Sequence, residues 1–243
     1  MTYLLGIAGG TGSGKGTFVD LIIKHLELWE LKCTILSTDN CYRDLSYLSS
    51  EQRDQLCFNP ENNYDHPDLL DIDRLLAYTQ YLKEGKSFSY NRYNFQTHSY
   101  DQTNPIEVPE SLDVAIIEGI YALYPQQLLL QYDHRIFVDT NPVLAALRRV
   151  KRDISERGRT IDHIVRQMST TVVPMHEKYV FPTKVNADEV VNWRVDETRN
   201  NQEITQQLIE MARQRALAIY ERVKEPLLKN INTNTITISG LSP

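Results

Sequence analysis

An α/β fold, with a parallel sheet covered by helices on both faces, is what this sequence predicts, and three observations predict it. Short apolar runs alternate with helix-periodic stretches over most of the 243 residues, the pattern of strands joined by crossover helices. Runs such as Val114-Ala115-Ile116-Ile117 are apolar throughout, as strands buried on both faces must be. The first run, Tyr3 to Ile7, leads directly into Gly9-Gly10-Thr11-Gly12-Ser13-Gly14-Lys15-Gly16-Thr17 and then into a helical pattern. Strand, glycine-rich loop, lysine and helix in that order make a phosphate-binding loop.

The elements follow from local pattern. Phe18, Ile22, Leu26 and Trp29 mark the first helix. Cys33 to Ser37 reads as a second strand. Asp71 to Lys83 reads as a helix with Ile72, Leu75, Leu76 and Leu82 on one side. Ser87 to Val108 is rich in Tyr, Asn, Thr and Ser, alternates around Phe88, Tyr90, Arg92 and Asn94, and is expected to form a small antiparallel insertion. Val114 to Ile117 and Arg135 to Val138 are buried strands. Asn141-Pro142 opens a helix, with proline at its favoured first position. Leu144, Leu147, Val150 and Ile154 form its apolar face, so its arginines are expected to face away from the core. Ala187 to Asn192 reads as the last strand. Ile204, Leu208, Met211, Ile219 and Val223 mark a C-terminal helix within a terminal region of about 200–243. The tail from Lys229 alternates weakly around Ile236 and Ile238 and reads equally as a late strand or a frayed end. Without repeats or long linkers, the whole of 1–243 is expected to be one domain.

Composition narrows the function. The chain is 41% hydrophobic and 24% charged, ordinary for a globular protein. No apolar run approaches the ~20 residues of a membrane span, and the N-terminus enters the first strand without a secretory signal. Cys33, Cys41 and Cys57 lack metal-site spacing. A reduced cytoplasmic protein with no membrane partner is the expectation. The net charge of −6 argues against general nucleic-acid binding. The charge is uneven, however. Arg148, Arg149, Lys151, Arg152, Arg157 and Arg159 lie close together, against only Asp153 and Glu156. A basic cluster in an acidic chain suggests a local anionic ligand.

The chemistry gathers at one edge. In open α/β sheets, ligands sit outside the carboxyl ends of the strands. Glycines let the loop backbone turn its N–H groups toward one point, the following helix adds the positive end of its dipole, and Lys15 supplies a charge for the outer phosphates. Asp39 lies just past the second strand, and Glu118 ends the run Val114–Ile117. Two carboxylates beside a phosphate loop suit magnesium binding and proton abstraction. Gly16 stands where this motif expects a serine or threonine for the metal, and the next hydroxyl, Thr17, lies about 100° further round the helix. The acidic stretch Glu61, Asp65, Asp68, Asp71 and Asp73 is mostly suited to caps and first-turn positions of the following helix.

Several segments together resemble the uridine kinase family, the uridine–cytidine kinases, from about Leu5 to about Val191. They are the loop Gly9–Thr17, Leu36-Ser37-Thr38-Asp39-Asn40-Cys41-Tyr42-Arg43-Asp44-Leu45, Asp65-His66-Pro67-Asp68, Tyr93-Asn94-Phe95-Gln96-Thr97-His98-Ser99 and Glu118-Gly119-Ile120. Further on come Phe137-Val138-Asp139-Thr140, the long run Arg148 to Arg159 with its end Glu156-Arg157-Gly158-Arg159, and Val173-Pro174-Met175-His176-Glu177. A phosphate loop alone names only a superfamily; the Glu156–Arg159 and Tyr93–His98 segments are more specific.

The resemblance implies a P-loop kinase fold with an arginine-rich lid at about 152–166. It also implies transfer of phosphate to the 5′-hydroxyl of uridine and cytidine, from ATP or alternatively GTP, with Mg2+. In that reading Asp39 is the base and, with Glu118, serves the metal. Lys15 and the loop hold the phosphates, and Asp196 belongs to the nucleotide site. Asp65 and Arg149 bind the ribose hydroxyls. Tyr93, Phe95, His98, Ile120, Arg159 and Gln167 surround the nucleoside, and Arg152 and Arg157 close over the transferring phosphate. A homo-oligomer, a tetramer in the family, is implied too. The chain departs from the family at Gly16, at Asn91 and Arg92 before Tyr93, at Ala145 where an arginine is common, and at Asn192-Trp193-Arg194-Val195, which lacks the usual Pro-x-Gly. Adenylate kinases also carry Gly-Lys-Gly-Thr at this place in the loop. Phosphoribulokinase and pantothenate kinase are the neighbouring alternatives, and the Tyr93–His98 segment speaks against both. A non-catalytic nucleotide-binding regulator is the alternative of another class, favoured by Gly16 alone.

Overall fold

The computed structural model describes residues 1–193 and 201–235. Five parallel strands form the central sheet. They are β1 (Tyr3–Gly9), β2 (Cys33–Ser37), β7 (Val114–Gly119), β8 (His134–Asp139) and β9 (Glu189–Asn192), arranged in the order β2-β7-β1-β8-β9. Register places Ile7 and Ser37 on either side of Glu118. β1 and β2 therefore deliver their following loops to the end of the sheet that carries Glu118.

Alternation along the strands sends neighbouring side chains to opposite faces. On one face Leu5, Ile7, Ile116 and Val138 pack with Phe18, Ile22 and Leu26 of α1 (Lys15–Leu28). Ala212, Ala216 and Ile219 of the C-terminal helix, Asn201–Thr235, complete that layer. On the other face Leu4, Ala115 and Ile117 meet Leu75 and Leu82 of α3 (Ile72–Glu84). The helix α3 begins as the sequence predicts, with the Asp71 side chain accepting from the Arg74 N–H at 3.1 Å. The insertion is antiparallel. β3 (Phe88–Tyr90) pairs with β6 (Ile106–Val108), and β4 (Tyr93–Asn94) pairs with β5 (Ser99–Tyr100) between them.

Four features depart from the sequence expectations. α2 (Ser50–Phe58) was not anticipated, because Cys57 alone among its described residues is buried, and a polar helix shows no apolar period. Its signal was the capping box formed by Ser49 and Gln52. Second, a helical run fills 161–186. It starts as α6 (Ile161–Gln167), follows a short helix α4 (Gln126–Leu129) and the basic helix α5 (Pro142–Ser155) in the chain, and opens into π turns at Met168–Val172 and His176–Val180. Pro174 lies between those turns and has no N–H for the ladder, which favours the wider register.

The third departure is the orientation of α5. Its apolar stripe does not face the core: Leu147 is 61% and Ile154 43% exposed, while Arg149 and Asp153 are buried. Ion pairing within the helix and beyond it outweighs the apolar period. Last, the C-terminal helix runs on to Thr235, so the tail from Lys229 begins as helix rather than strand. Ile236 and Ile238 lie outside the described residues.

Candidate active site

The loop after β1 is shaped by two left-handed glycines, Gly12 at φ 72° and Gly14 at φ 88°. Any side chain at Gly12 would collide with the Ala145 carbonyl of α5, and a Cβ at Gly14 would lie 2.6 Å from the indole nitrogen of Trp193. Glycine is required at both for conformation and for close approach. α1 then starts with Gly14 at its N-cap and no side chain capping it. Its first N–H groups are left for an anion, as phosphate loops need. The Ser13 hydroxyl is buried there without a hydrogen-bonding partner among the described residues. The Gly16 Cα faces open space, with nothing within 4 Å of an added Cβ.

The carboxylates converge on this loop. Lys15 Nζ lies 3.9 Å from Glu118 Oε2. Burial pushes the Glu118 carboxyl up, Lys15 pulls it back, and the nearby charge of Asp39 pushes it further up. Asp39 sits in a 3-10 turn, Thr38–Cys41, and its N–H donates to the Ser37 hydroxyl at 3.3 Å. No three His, Cys, Asp or Glu side chains among the described residues form a metal cage. Two carboxylates beside a phosphate cradle are the donor set magnesium takes when phosphate oxygens and water complete its shell, so the residues fit that ion.

The arginines are organised by one acid. Asp153, fully buried, lies 2.9 Å from Arg152, 3.2 Å from Arg159, 3.5 Å from Arg157 and 3.6 Å from Arg149. Burial raises its carboxyl, but the surrounding guanidinium groups outweigh that and hold it below the usual range. Burial pushes Arg157 down to about 10. In the sequence Asp153 is one of two acids set against six basic residues. The signal available was its spacing, four residues after Arg149 on α5 and four before Arg157, which lies just past the helix end.

A cavity of about 330 Å³ opens beside these arginines, lined by Tyr64, Phe95, His98, Arg157 and Arg159 among others. His98 is held at φ 54° by two 2.8 Å backbone bonds, its N–H to Asn94 and its carbonyl from Leu45. Its ring stacks on Tyr64 at 4.0 Å and 7°. Burial, followed by Arg53 and Arg159, lowers the imidazole to about 4, so it is neutral near pH 7. Its Nδ1 is buried and meets no hydrogen-bonding partner among the described residues. Tyr64 was missed in the sequence because an aromatic beside Asp65 carries no pattern of its own.

Asp65 and Ile120 share a small cavity of about 20 Å³ with Thr11 of the phosphate loop. Arg149 donates to the Thr11 hydroxyl at 3.0 Å and to Gln167 Oε1 at 3.3 Å, and the same Gln167 oxygen accepts from Arg159 at 2.8 Å. Gln167 thus braces two arginines and does not line the larger cavity. Tyr93 does not line it either. Its ring packs on Tyr42 and Phe95, and its hydroxyl donates to the Arg43 carbonyl at 3.3 Å. Asp196 lies outside the described residues. His176, unanticipated as a neighbour of the loop, would lie 2.8 Å from a Cβ at Gly10.

Comparisons with known proteins place the chain in a family and a fold. The Phosphoribulokinase / Uridine kinase family matches residues 4–199. A uridine kinase of Staphylococcus epidermidis is 39% identical over 190 residues, covering 78% of this chain and 87% of that protein. One from Staphylococcus aureus is 38% identical over the same shares. Among solved structures, phosphoribulokinase from Rhodobacter spheroides aligns with TM-score 0.60 at 14% identity, over 82% of this chain and 73% of that one. D-glycerate 3-kinase from Cryptococcus neoformans var. grubii aligns with TM-score 0.51 at 16% identity, over 79% and 86%. At such identities the structural likeness speaks for the fold, a P-loop kinase architecture.

Proposed function

The chain belongs to the phosphoribulokinase/uridine kinase family of phosphotransferases, and from that premise we propose that it phosphorylates the 5′-hydroxyl of uridine and cytidine, with ATP as donor. The observation that carries the reading is His98, neutral, stacked on Tyr64, with its buried Nδ1 unpartnered among the described residues, in the lining of a cavity with several cationic side chains. A neutral imidazole donates to a uracil carbonyl in one tautomer and accepts from a cytosine amino group in the other, so one residue serves both bases. The 39% identical uridine kinase adds support for the substrate class.

The roles follow from position. The uncapped start of α1, the loop N–H groups and Lys15 hold the donor phosphates. Asp39, at the strand end, takes the proton of the attacking hydroxyl. Asp65 and Arg149, beside the loop through Thr11, hold the ribose. Magnesium supplies charge neutralisation at the phosphates, and Asp39 and Glu118 are the residues that would hold it. Arg152 and Arg157, gathered by Asp153, offset charge on the moving phosphoryl group, whose transfer needs positioning and electrostatics more than covalent chemistry. The protein acts as a cytoplasmic salvage enzyme and as a homo-oligomer in this reading.

The test measures ADP release with uridine, cytidine, adenosine, ribulose 5-phosphate and pantothenate side by side, with ATP and then GTP. Turnover with uridine and cytidine alone is the expected result. Preference for another acceptor overturns the substrate assignment, and no turnover with any of them favours a regulator.

A further inference from the structure

Thr171 has no role in the reading above, yet it is fully buried and touches the ribose-side acid. Its hydroxyl lies 3.0 Å from Asp65 Oδ2 and 3.1 Å from the Gln167 carbonyl one helical turn back. A threonine hydroxyl has a single proton. Of its two acceptors the carboxylate is the stronger, because charge-assisted bonds exceed neutral ones. The proton therefore goes to Asp65, and the Gln167 contact is the ordinary back-bond that this exchange replaces.

The rest of Asp65 is fixed as well. Its N–H donates to Asn63 Oδ1 at 2.9 Å, and its carbonyl accepts from the Tyr121 hydroxyl. With backbone and Oδ2 both held, only Oδ1 lacks a hydrogen bond among the described residues, and Asp65 lines the small cavity shared with Thr11 and Ile120. Thr171 reaches this place because it sits in the π turn Met168–Val172, a distortion that commonly marks functional sites.

Resting on the nucleoside-kinase reading, we propose that Thr171 is a positioning residue for sugar recognition: its hydroxyl fixes the Asp65 carboxylate so that one oxygen is presented to the vicinal diol of a ribonucleoside. Substrates that carry the diol gain from this contact, and substrates without it do not.

The experiment compares the parent with Thr171→Val, Thr171→Ala and Thr171→Ser, using uridine and 2′,3′-dideoxyuridine at saturating ATP. Thr171→Val is expected to raise KM for uridine about tenfold, the equivalent of one charge-assisted hydrogen bond, with kcat within about twofold. Thr171→Ser restores both to within about twofold of the parent. With 2′,3′-dideoxyuridine the parent is already weak, and the valine variant matches it. Thr171→Ala gives the same comparison should the valine protein prove insoluble. An equal penalty on both substrates, or a fall in kcat that serine does not rescue, shows a purely structural role and overturns the proposal. An unchanged KM overturns it too. If the parent itself fails to phosphorylate uridine, the functional reading fails first, and that result is seen before any variant is made.

Discussion

Asp39 stands two residues beyond the end of β2, near enough for its charge to raise the Glu118 carboxyl. Asp39→Asn is expected to keep nucleotide and nucleoside binding while turnover falls about 10²–10⁴-fold, the usual worth of a general base. Turnover within roughly threefold of the parent would remove Asp39 from the mechanism. His98 carries a pH signature. Its folded pKa, about 4, lies below the ordinary 6.5. A group lowered in this way contributes stability that is present above about pH 6.5 and lost as pH falls toward 4. Urea unfolding between those values should show the parent losing more stability than His98→Gln, and parallel losses would contradict the burial argument. Catalytic efficiency with uridine should show no His98 titration between pH 6 and 8. The residue types at this site were legible in the sequence because each lies in a short motif. The ring stack with Tyr64 was not, since it joins positions 34 residues apart in the chain.

Two elements decide how the phosphate edge is built. In the loop before α1, Gly16 leaves open space where a hydroxyl would reach a metal. Serine fits there without collision. Gly16→Ser is expected to lower the free magnesium needed for half-maximal rate, a gain on the order of 1 kcal/mol, comparable to one net hydrogen bond. Identical half-saturation points in a titration at fixed ATP and uridine would refute this. On α5, Asp153 is the common anchor of four arginines. Asp153→Asn keeps the shape and removes the charge, leaving Arg149 buried beside uncompensated cations. Loss of one partner from a buried ion pair costs about 3–5 kcal/mol. Partial exposure of the other arginines puts the expected loss at the lower end, about 3 kcal/mol. A denaturation midpoint equal to the parent's would show that the arginines do not depend on this acid.

At the scale of the whole molecule, the phosphate site is a seam. The loop after β1 is touched by Ala145 from α5, by Trp193 beyond β9 and by His176 from the helical run at 161–186. Elements far apart in sequence meet on a few glycine backbones, so nucleotide bound there stabilises all of them together. ATP at 100 times its Kd is expected to add about 2.7 kcal/mol of stability, a rise of roughly 5–10 °C in Tm for a chain of this size. Asp39→Asn should keep that rise and Lys15→Ala should reduce it. A parent Tm that does not respond to ATP would show that ATP does not bind the folded protein.

The parallel sheet, the phosphate loop and the carboxylates at its edge are legible along the chain, because those signals are local: apolar runs, glycine spacing and a cap each act over a few residues. So is the antiparallel insertion, through the alternation around Phe88 and Tyr90. Which way α5 turns is set by packing in three dimensions. A helical period defines an apolar stripe but not what that stripe faces. Here one buried carboxylate, encircled by four guanidinium groups and joined through Arg149 to Thr11 and Gln167, turns the charged face inward and leaves Leu147 and Ile154 outside. The same holds for Thr171 and Asp65, 106 residues apart, whose hydrogen bond exists only once the π turn and the loop at Asp65 have packed together. Pairings of that kind depend on distance in space, and no periodicity along the chain encodes them.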